Sequence, residues 1–128
     1  VKQGTVFNVG ITKANKRCLG FHRKYFALLD HAFDSFEQVE VKYKGVVVAK
    51  EKEKFRKDIQ ILAGYGYPIV NINGEVRWGC KSISFGKMGG DEFESLYNAV
   101  LNVILQKVLT TYSKDDLDRA VEEILRFD

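Results

Sequence analysis

Apolar residues recur at the helical spacing of three and four positions in four stretches of the chain. The most regular of these begins after Gly89-Gly90 and predicts a long helix at the centre of the core. Its apolar stripe comprises Phe93, Leu96, Tyr97, Val100, Leu101, Ile104, Leu105 and Val108. The other three predicted helices are Phe21–Phe36, Lys50–Tyr65 and Lys114–Phe127.

Two of the shorter predicted helices carry further signals. In Lys50–Tyr65, the spacing of Phe55, Ile59 and Leu62 predicts the buried face. The helix that begins at Lys114 follows Ser113, which predicts a capping box with Asp116.

Alternating apolar and polar residues predict short strands between the helices. Such alternation occurs at Thr5–Thr12, in Gln38–Ala49 with a turn near Lys44-Gly45, and at Lys81–Phe85. The strongest turn signal is Asn73-Gly74, which predicts a β-hairpin over residues 69–78 with a type I′ turn.

The single tryptophan, Trp78, falls in the second strand of this hairpin. We expect it to pack in the core, and stacking on a nucleic-acid base is the alternative. No polar spacer or internal repeat divides the chain, so residues 1–128 predict one domain. The predicted fold class is α+β, with three to four helices packed on a small, mainly antiparallel sheet.

Composition and charge narrow the classes of function. The hydrophobic fraction of 45% and the charged fraction of 29% are typical of a soluble globular protein, and no apolar run reaches the roughly 20 residues that span a bilayer. The net charge of +3 divides unevenly, because residues 1–57 carry +7 and residues 58–128 carry −4. A basic half suits a polyanion, although ordinary surfaces also vary in charge. Cys18 and Cys80 are expected to be reduced thiols.

The sequence contains none of the spacings that define common catalytic or metal sites, such as HExxH, CxxC, GxxxxGK[ST] or GxSxG. We therefore expect a non-enzymatic protein with no cofactor and no metal site. The alternative is a metal-dependent nuclease that uses Asp30, His31 and Asp34, which lie close together on one predicted helix.

Basic residues concentrate within twelve positions that span a predicted loop and the start of the first predicted helix. Lysine and arginine side chains, together with the free N–H groups at a helix start, suit phosphate oxygens. This basic cluster is the candidate nucleic-acid-binding site, and it consists of Lys13, Lys16, Arg17, His22, Arg23 and Lys24.

Three segments of the chain resemble an uncharacterised family of small bacteriophage proteins. These segments are HRKYFALL at His22–Leu29, FRKDIQILAGY at Phe55–Tyr65, and KSISFGKMGGDEFESLYNAVLNVIL at Lys81–Leu105. The proteins of that family are encoded among lambdoid-type recombination and replication genes. The resemblance therefore implies a role in such a gene module.

The order of elements is also similar, more distantly, to that of the NinB (Orf) recombination mediators. These proteins carry a basic segment that leads into a helix and a late Met-x-x-x-Glu-Phe helix, where this chain has MGGDEF at Met88–Phe93. The resemblance implies a dimeric DNA-binding protein that assists strand exchange without nuclease activity. It assigns DNA contacts to Arg17, Arg23 and Lys24.

The leading interpretation is a phage-derived, non-enzymatic protein of a recombination or replication module, which binds single- or double-stranded DNA in the cytoplasm of a bacterial host. The alternative is a small phage protein that inhibits a host protein, such as a defence nuclease or a CRISPR complex. In that case the protein-interaction site is an acidic surface that comprises Asp115, Asp116, Asp118, Glu122 and Glu123. A homodimer is open under both interpretations, and neither involves a membrane.

Overall fold

The computed structural model of the protein describes the backbone of residues 2–127 and the side chains of residues 19–126. Its sheets are two separate, antiparallel, two-stranded hairpins, and its fold class is α+β, as the sequence predicts. The elements in chain order are α1 (Lys2–Ser35), β1 (Lys42–Tyr43), β2 (Val46–Val47), α2 (Lys52–Leu62), β3 (Gly66–Val70), β4 (Val76–Cys80), a 3-10 helix (Phe85–Lys87), α3 (Gly90–Lys107) and α4 (Lys114–Phe127).

The core forms where the second half of α1 meets α3, together with one face each of α2 and α4. The predicted stripe of α3 is confirmed, since its members are buried apart from Leu105 and Val108, which are half-buried. The other helices contribute Tyr25, Ala27, Leu28, Leu29, Ala32, Phe55, Ile59, Leu117 and Val121 as buried apolar residues.

Helix α2 ends in a Schellman motif, in which the N–H of Tyr65 donates to the carbonyl of Gln60 at 2.9 Å and that of Gly64 donates to Ile61 at 3.0 Å. Gly64 adopts a φ of 100°, which a side chain would disfavour. This ending turns the chain directly from α2 into β3. One expectation for α2 is wrong, because Leu62 is 58% exposed.

The predicted capping box of α4 is confirmed. The N–H of Ser113 donates to Asp116 Oδ2 at 3.1 Å, and the N–H of Asp116 donates to Ser113 Oγ at 3.1 Å. These reciprocal bonds satisfy N–H groups that a helix start leaves without intrahelical acceptors.

The two hairpins use different turns. In the β1–β2 hairpin, Lys44 and Gly45 have φ values of 53° and 82°, which is the type I′ arrangement, at the predicted position. The β3–β4 hairpin also lies where the sequence predicts it. The predicted type I′ turn is wrong, because that turn needs a positive φ at both central residues and, of Asn73 and Gly74, only Gly74 has one. Asn71 Oδ1 accepts from the N–H groups of Asn73 and Glu75, at 3.0 and 2.9 Å, and this favours a longer loop.

Two predicted strands are replaced by other structure. Helix α1 occupies Thr5–Thr12, and the strands of the two described sheets all lie after residue 41. The segment 81–84 is irregular and leads into the 3-10 helix at Phe85, whose side chain is buried against α1. The predicted strand at Lys81–Phe85 therefore does not form, and Phe85 is buried from a 3-10 helix instead.

Trp78 is 59% exposed, so the expectation of a core tryptophan is wrong. The physical reason is that this part of the β3–β4 hairpin is left exposed by the elements that the structure describes. Pro68, the cross-strand partner of Trp78, is exposed as well.

Candidate functional site

Three segments of the chain meet around a cavity of about 470 Å³ whose lining contains three cationic side chains. We call it the basic cavity. Its cations, Arg56, Lys57 and Lys81, come from α2 and from the segment after β4, and the lining described by the structure contains no carboxylate. The remaining lining residues are His22, Tyr25 and Phe26 of α1, Gln60 of α2, and Cys80, Ser82, Ile83 and Phe85.

Arg56 is held in one orientation by two neighbours on its own helix. Its Nε and Nη2 donate to the two carboxylate oxygens of Glu53, at 3.2 and 2.9 Å. Its Nη1 donates to Gln60 Oε1 at 2.7 Å. The hydrogen bond from Arg56 is the main cause that lowers the pKa of Glu53 and, reciprocally, raises the pKa of Arg56. The guanidinium therefore stays charged and positioned at the cavity wall.

Gln60 connects α2 to the segment that follows β4. Its side chain is 1% exposed, and its Nε2 donates to Cys80 Sγ at 3.0 Å and to the carbonyl of Lys81 at 3.4 Å. The N–H of Lys81 in turn donates to the carbonyl of Tyr65 at 2.9 Å. These bonds fix the backbone from which the Lys81 side chain enters the cavity lining.

Tyr25 forms part of the wall of the same cavity, and its hydroxyl is buried away from solvent. The residue is 1% exposed, and its hydroxyl has no hydrogen-bond partner among the side chains and backbone that the structure describes. Its ring packs against Phe26 and Phe85, with ring centroids 5.4 and 5.5 Å apart. Burial raises the pKa of Tyr25, against the opposing effect of Arg56, so the hydroxyl keeps its proton and is a donor without an acceptor.

The structure does not bring the described members of the basic cluster together. His22 lines the basic cavity, Arg23 Nη2 donates to the carbonyl of Leu125 at 3.3 Å, and Lys24 Nζ lies 4.6 Å from the ring centroid of Tyr97. Successive residues of a helix project about 100° apart, so three in a row face three directions. The side chains of Lys13, Lys16 and Arg17 lie outside the described residues.

A second cavity, of about 450 Å³, lies between α1, α3 and α4. We call it the mixed-charge groove, because its charged lining residues are Lys24, Lys114, Glu94, Asp118 and Glu122. Phe21 and Phe93 stack at its edge with ring centroids 4.2 Å apart. Tyr97 lines the groove, is 5% exposed, and also has a hydroxyl with no partner among the described residues.

The predicted acidic surface is divided among different environments. Asp118 and Glu122 line the mixed-charge groove. Asp116 belongs to the capping box and lies 3.9 Å from Arg119, and both line a shallow pocket with Glu123. Asp115 is exposed in the first turn of α4. The five carboxylates therefore do not converge on one site.

The residues of the nuclease alternative are also separated by their contacts. Asp30 Oδ1 pairs with Lys52 Nζ at 3.1 Å, and His31 packs its ring 5.9 Å from that of Tyr112. Across the described side chains, no three potential metal ligands lie together. Cys80 is a free thiol, and Cys18 lies outside the described side chains.

The basic cavity is not visible as a unit in the sequence. Arg56 and Lys57 were visible as basic residues, but interleaved charges on α2 favour the interpretation of a solvated face. The available signal was Gln60, a polar residue next to Ile59 and four positions after Arg56. Its burial shows that α2 turns the flank with Arg56 and Gln60 inward and leaves Leu62 outside.

The chain belongs to a protein family described as "Protein of unknown function (DUF1367)", which matches residues 36–127. This region contains both hairpins and helices α2 to α4, whereas α1 ends at Ser35. Thus two of the three walls of the basic cavity fall inside the family region. No curated protein and no solved structure matches the chain. None of the described helices is long and apolar enough to cross a membrane.

Proposed function

We propose that the protein is a non-enzymatic nucleic-acid-binding protein of a phage recombination or replication module, and that the basic cavity is its phosphate site. The observation that carries the proposal is the convergence of Arg56, Lys57 and Lys81 on one cavity whose described lining has no carboxylate. Cationic side chains that neutralise phosphates supply most of the affinity of proteins for nucleic acids.

The hairpin next to the cavity supports the proposal. Side chains two positions apart in a strand share a face and lie roughly 7 Å apart. Trp78 therefore shares a face with Cys80, which lines the cavity, and Trp78 is 59% exposed. An exposed aromatic ring beside a phosphate site is the arrangement on which single-stranded bases stack.

The resemblance of three segments to small phage proteins, and more distantly to NinB proteins, supports the proposal from the sequence. The segment Phe55–Tyr65, one of the resembling segments, contains Arg56 and Lys57 of the cavity. Contacts from Arg17, Arg23 and Lys24 to DNA stay predictions from that resemblance.

The test is a titration of labelled single- and double-stranded DNA at two salt concentrations with Lys57→Ala. If Lys57 contacts a phosphate, its removal should weaken binding to all sequences and reduce the slope of log K against log salt by about 0.7 for single strands or 0.9 for duplex. Arg23→Ala in the same titration tests the prediction from resemblance.

Lys54→Ala is the matched control. It removes the same charge from the same helix, but Lys54 pairs with Asp58 at 2.8 Å and lies outside the basic cavity. Equal effects of the two variants, or binding that does not depend on salt, would overturn the proposal.

A protein partner is the second candidate, and it is favoured by the apolar side chains on both hairpins rather than by the acidic residues. Val46, Val70 and Val76 are each more than half exposed, and Ile72 is fully exposed at 100%. Exposed apolar clusters of this kind mark interaction surfaces. Under this candidate, the Lys57→Ala and Lys54→Ala variants should have the same effect on partner binding.

A further inference from the structure

One face of the β1–β2 hairpin consists of apolar side chains. Tyr43 lies opposite Val46, and the N–H of Val48 donates to the carbonyl of Val41 at 2.8 Å, so these four residues form two adjacent cross-strand pairs. The side chains of such pairs share one face of a sheet. We call this the hairpin face, and its four residues carry no charge.

The elements that the structure describes leave the hairpin face uncovered. Its exposed fractions are 53% at Val41, 66% at Tyr43, 68% at Val46 and 45% at Val48, and Val39, just before β1, is 79% exposed. These five side chains expose roughly 500 Å² of mainly apolar surface, with about 150 Å² for a free valine and about 200 Å² for a free tyrosine. A lone two-stranded hairpin is only marginally stable in water, so a partner that covers this face would also stabilise the hairpin.

We propose that the hairpin face is the contact surface of a homodimer. The β1–β2 hairpins of two copies pack face to face around a two-fold axis, with the tip of each hairpin over the stem of the other. This inference is independent of the proposed function, because residues 37–48 take no part in the described lining of the basic cavity.

The area of the hairpin face matches what a stable dimer needs. A standard interface buries roughly 800 Å² on each partner, and about 57% of that area, or about 450 Å², is apolar. The roughly 500 Å² exposed around the hairpin face supplies this amount. With tip over stem, the large ring of Tyr43 lies over the smaller Val41 and Val48 of the partner subunit, so the two faces also fit in size.

The charges at the two ends of the hairpin are complementary. Lys44 lies at the tip, whereas Glu37 and Glu40 lie in the stem before β1. Both carboxylates are exposed, and neither forms an ion pair within the part of the chain that the structure describes. A two-fold axis therefore places a basic tip against an acidic stem twice. The surface fits a second copy of itself, whereas a nucleic acid would meet an uncharged face and an acidic stem.

The experiment measures the oligomeric state of the full chain by sedimentation velocity and light scattering over a range of micromolar concentrations. The parent should convert from monomer to dimer as its concentration rises. Val46→Lys places a cation in the hairpin face of both copies, so it should raise the dissociation constant of the dimer by at least about tenfold.

Val47→Lys is the matched control. Val47 is the next residue of the same strand, lies on the opposite face of the hairpin opposite Lys42, and is 50% exposed. The same chemical change at this position should leave the dissociation constant unchanged. Circular dichroism and thermal unfolding of dilute protein check that both variants are folded.

A pair of charge reversals identifies the occupant as a second copy. Lys44→Glu and Glu40→Lys should each weaken self-association, because like charges then meet at both ends of the interface. An equimolar mixture of the two variants should contain more dimer than either variant alone, since the glutamates of one copy then face the lysines of the other. A change within a single copy cannot produce this recovery on mixing.

The outcomes separate this inference from the proposed function. A chain that stays monomeric at every concentration, a dimer that Val46→Lys does not weaken, or equal effects of Val46→Lys and Val47→Lys would overturn the homodimer. These results leave the proposed function standing, because the DNA titration with Lys57→Ala decides it. A dimer that fails to bind DNA would overturn the proposed function and leave the homodimer intact.

Discussion

The basic cavity and the mixed-charge groove are similar in volume and differ in the charges that line them. Their volumes are about 470 and 450 Å³. Each is lined by a tyrosine whose buried hydroxyl has no partner among the described residues, and α1 forms a wall of both. In the groove, Lys24 and Lys114 face three carboxylates, and Lys24 also covers the ring of Tyr97. The carboxylates of the groove therefore neutralise the charge of its two lysines.

The difference shows that the number of basic residues does not identify an anion site. Lys24 belongs to the densest basic stretch of the sequence, yet its surroundings supply negative charge. Lys57 and Lys81 are far apart in the sequence, yet they line a cavity without a carboxylate among its described residues. An anion is attracted by the charge that remains after near neighbours are counted. In the basic cavity Glu53 pairs with Arg56, so the charge that remains comes from Lys57 and Lys81.

The largest expected effect is a loss of stability from a substitution in the buried face of α1, the helix that forms a wall of both cavities. Leu28 is 0% exposed and belongs to the core cluster that both cavities share. Leu28→Ala should reduce the free energy of unfolding by about 2–5 kcal/mol, because it removes buried apolar contacts and leaves a void. Denaturant unfolding followed by circular dichroism measures this loss.

Leu62→Ala is the control for the core prediction, since Leu62 is 58% exposed on α2. It should change stability by no more than about 0.5 kcal/mol. Similar losses from the two substitutions would contradict the burial pattern on which both cavities are built.

The second prediction compares the two cavities by replacing one polar lining residue in each with methionine. Gln60→Met should cost about 1–3 kcal/mol, because it leaves the carbonyl of Lys81 and one nitrogen of Arg56 without their partner. It should also weaken DNA binding, since Lys81 is no longer held at the cavity. Denaturant unfolding and DNA titration measure the two effects.

Asn98→Met is the matched change in the mixed-charge groove. Asn98 is half-buried on α3 and lines only that groove. The change should have a small effect on stability and none on DNA binding. A loss of DNA binding with Asn98→Met, or its retention with Gln60→Met, would reverse the roles assigned to the two cavities.

The helical framework could be predicted from the sequence because its signal is local. The α3 stripe repeats over five turns, and each repeat adds to the same buried face. The capping box at Ser113 and the turn at Lys44-Gly45 are equally local, since the residues that determine them are neighbours. The Asn73-Gly74 turn shows the limit of such local signals, because its type I′ geometry does not form.

The basic cavity could not be predicted because it depends on how elements meet. The rotation of α2 is set by contacts with α3, β4 and α1, so its buried face includes Gln60 and excludes Leu62. Trp78 shows the converse, because a hydrophobic residue in a strand is buried only if something covers that strand. The pairing of cations with carboxylates is determined by this packing and not by the spacing of residues along the chain.

The smallest expected effect concerns α4, which lines the mixed-charge groove but not the basic cavity. Ser113→Ala removes the hydroxyl that accepts from the N–H of Asp116, and a lost N-cap of this type costs about 1 kcal/mol. The substitution should leave DNA binding unchanged, because neither Ser113 nor any residue of α4 is part of the described lining of the basic cavity. Weakened binding would mean that the two cavities are not independent.

The same cap gives α4 a pH dependence with a definite sign. Hydrogen bonds from Ser113, first through its backbone N–H and then through its side chain, lower the pKa of Asp116 below its ordinary value of 3.8. A carboxylate with a lowered pKa in the folded state stabilises the protein above the ordinary pKa, and this contribution is lost as the pH falls through the folded value. Asp116→Ala lacks the contribution at every pH. The difference in unfolding free energy between the parent and Asp116→Ala should therefore shrink as the pH is lowered from 7 to below 3.8, and a difference that grows on acidification would show that Asp116 does not act through its charge.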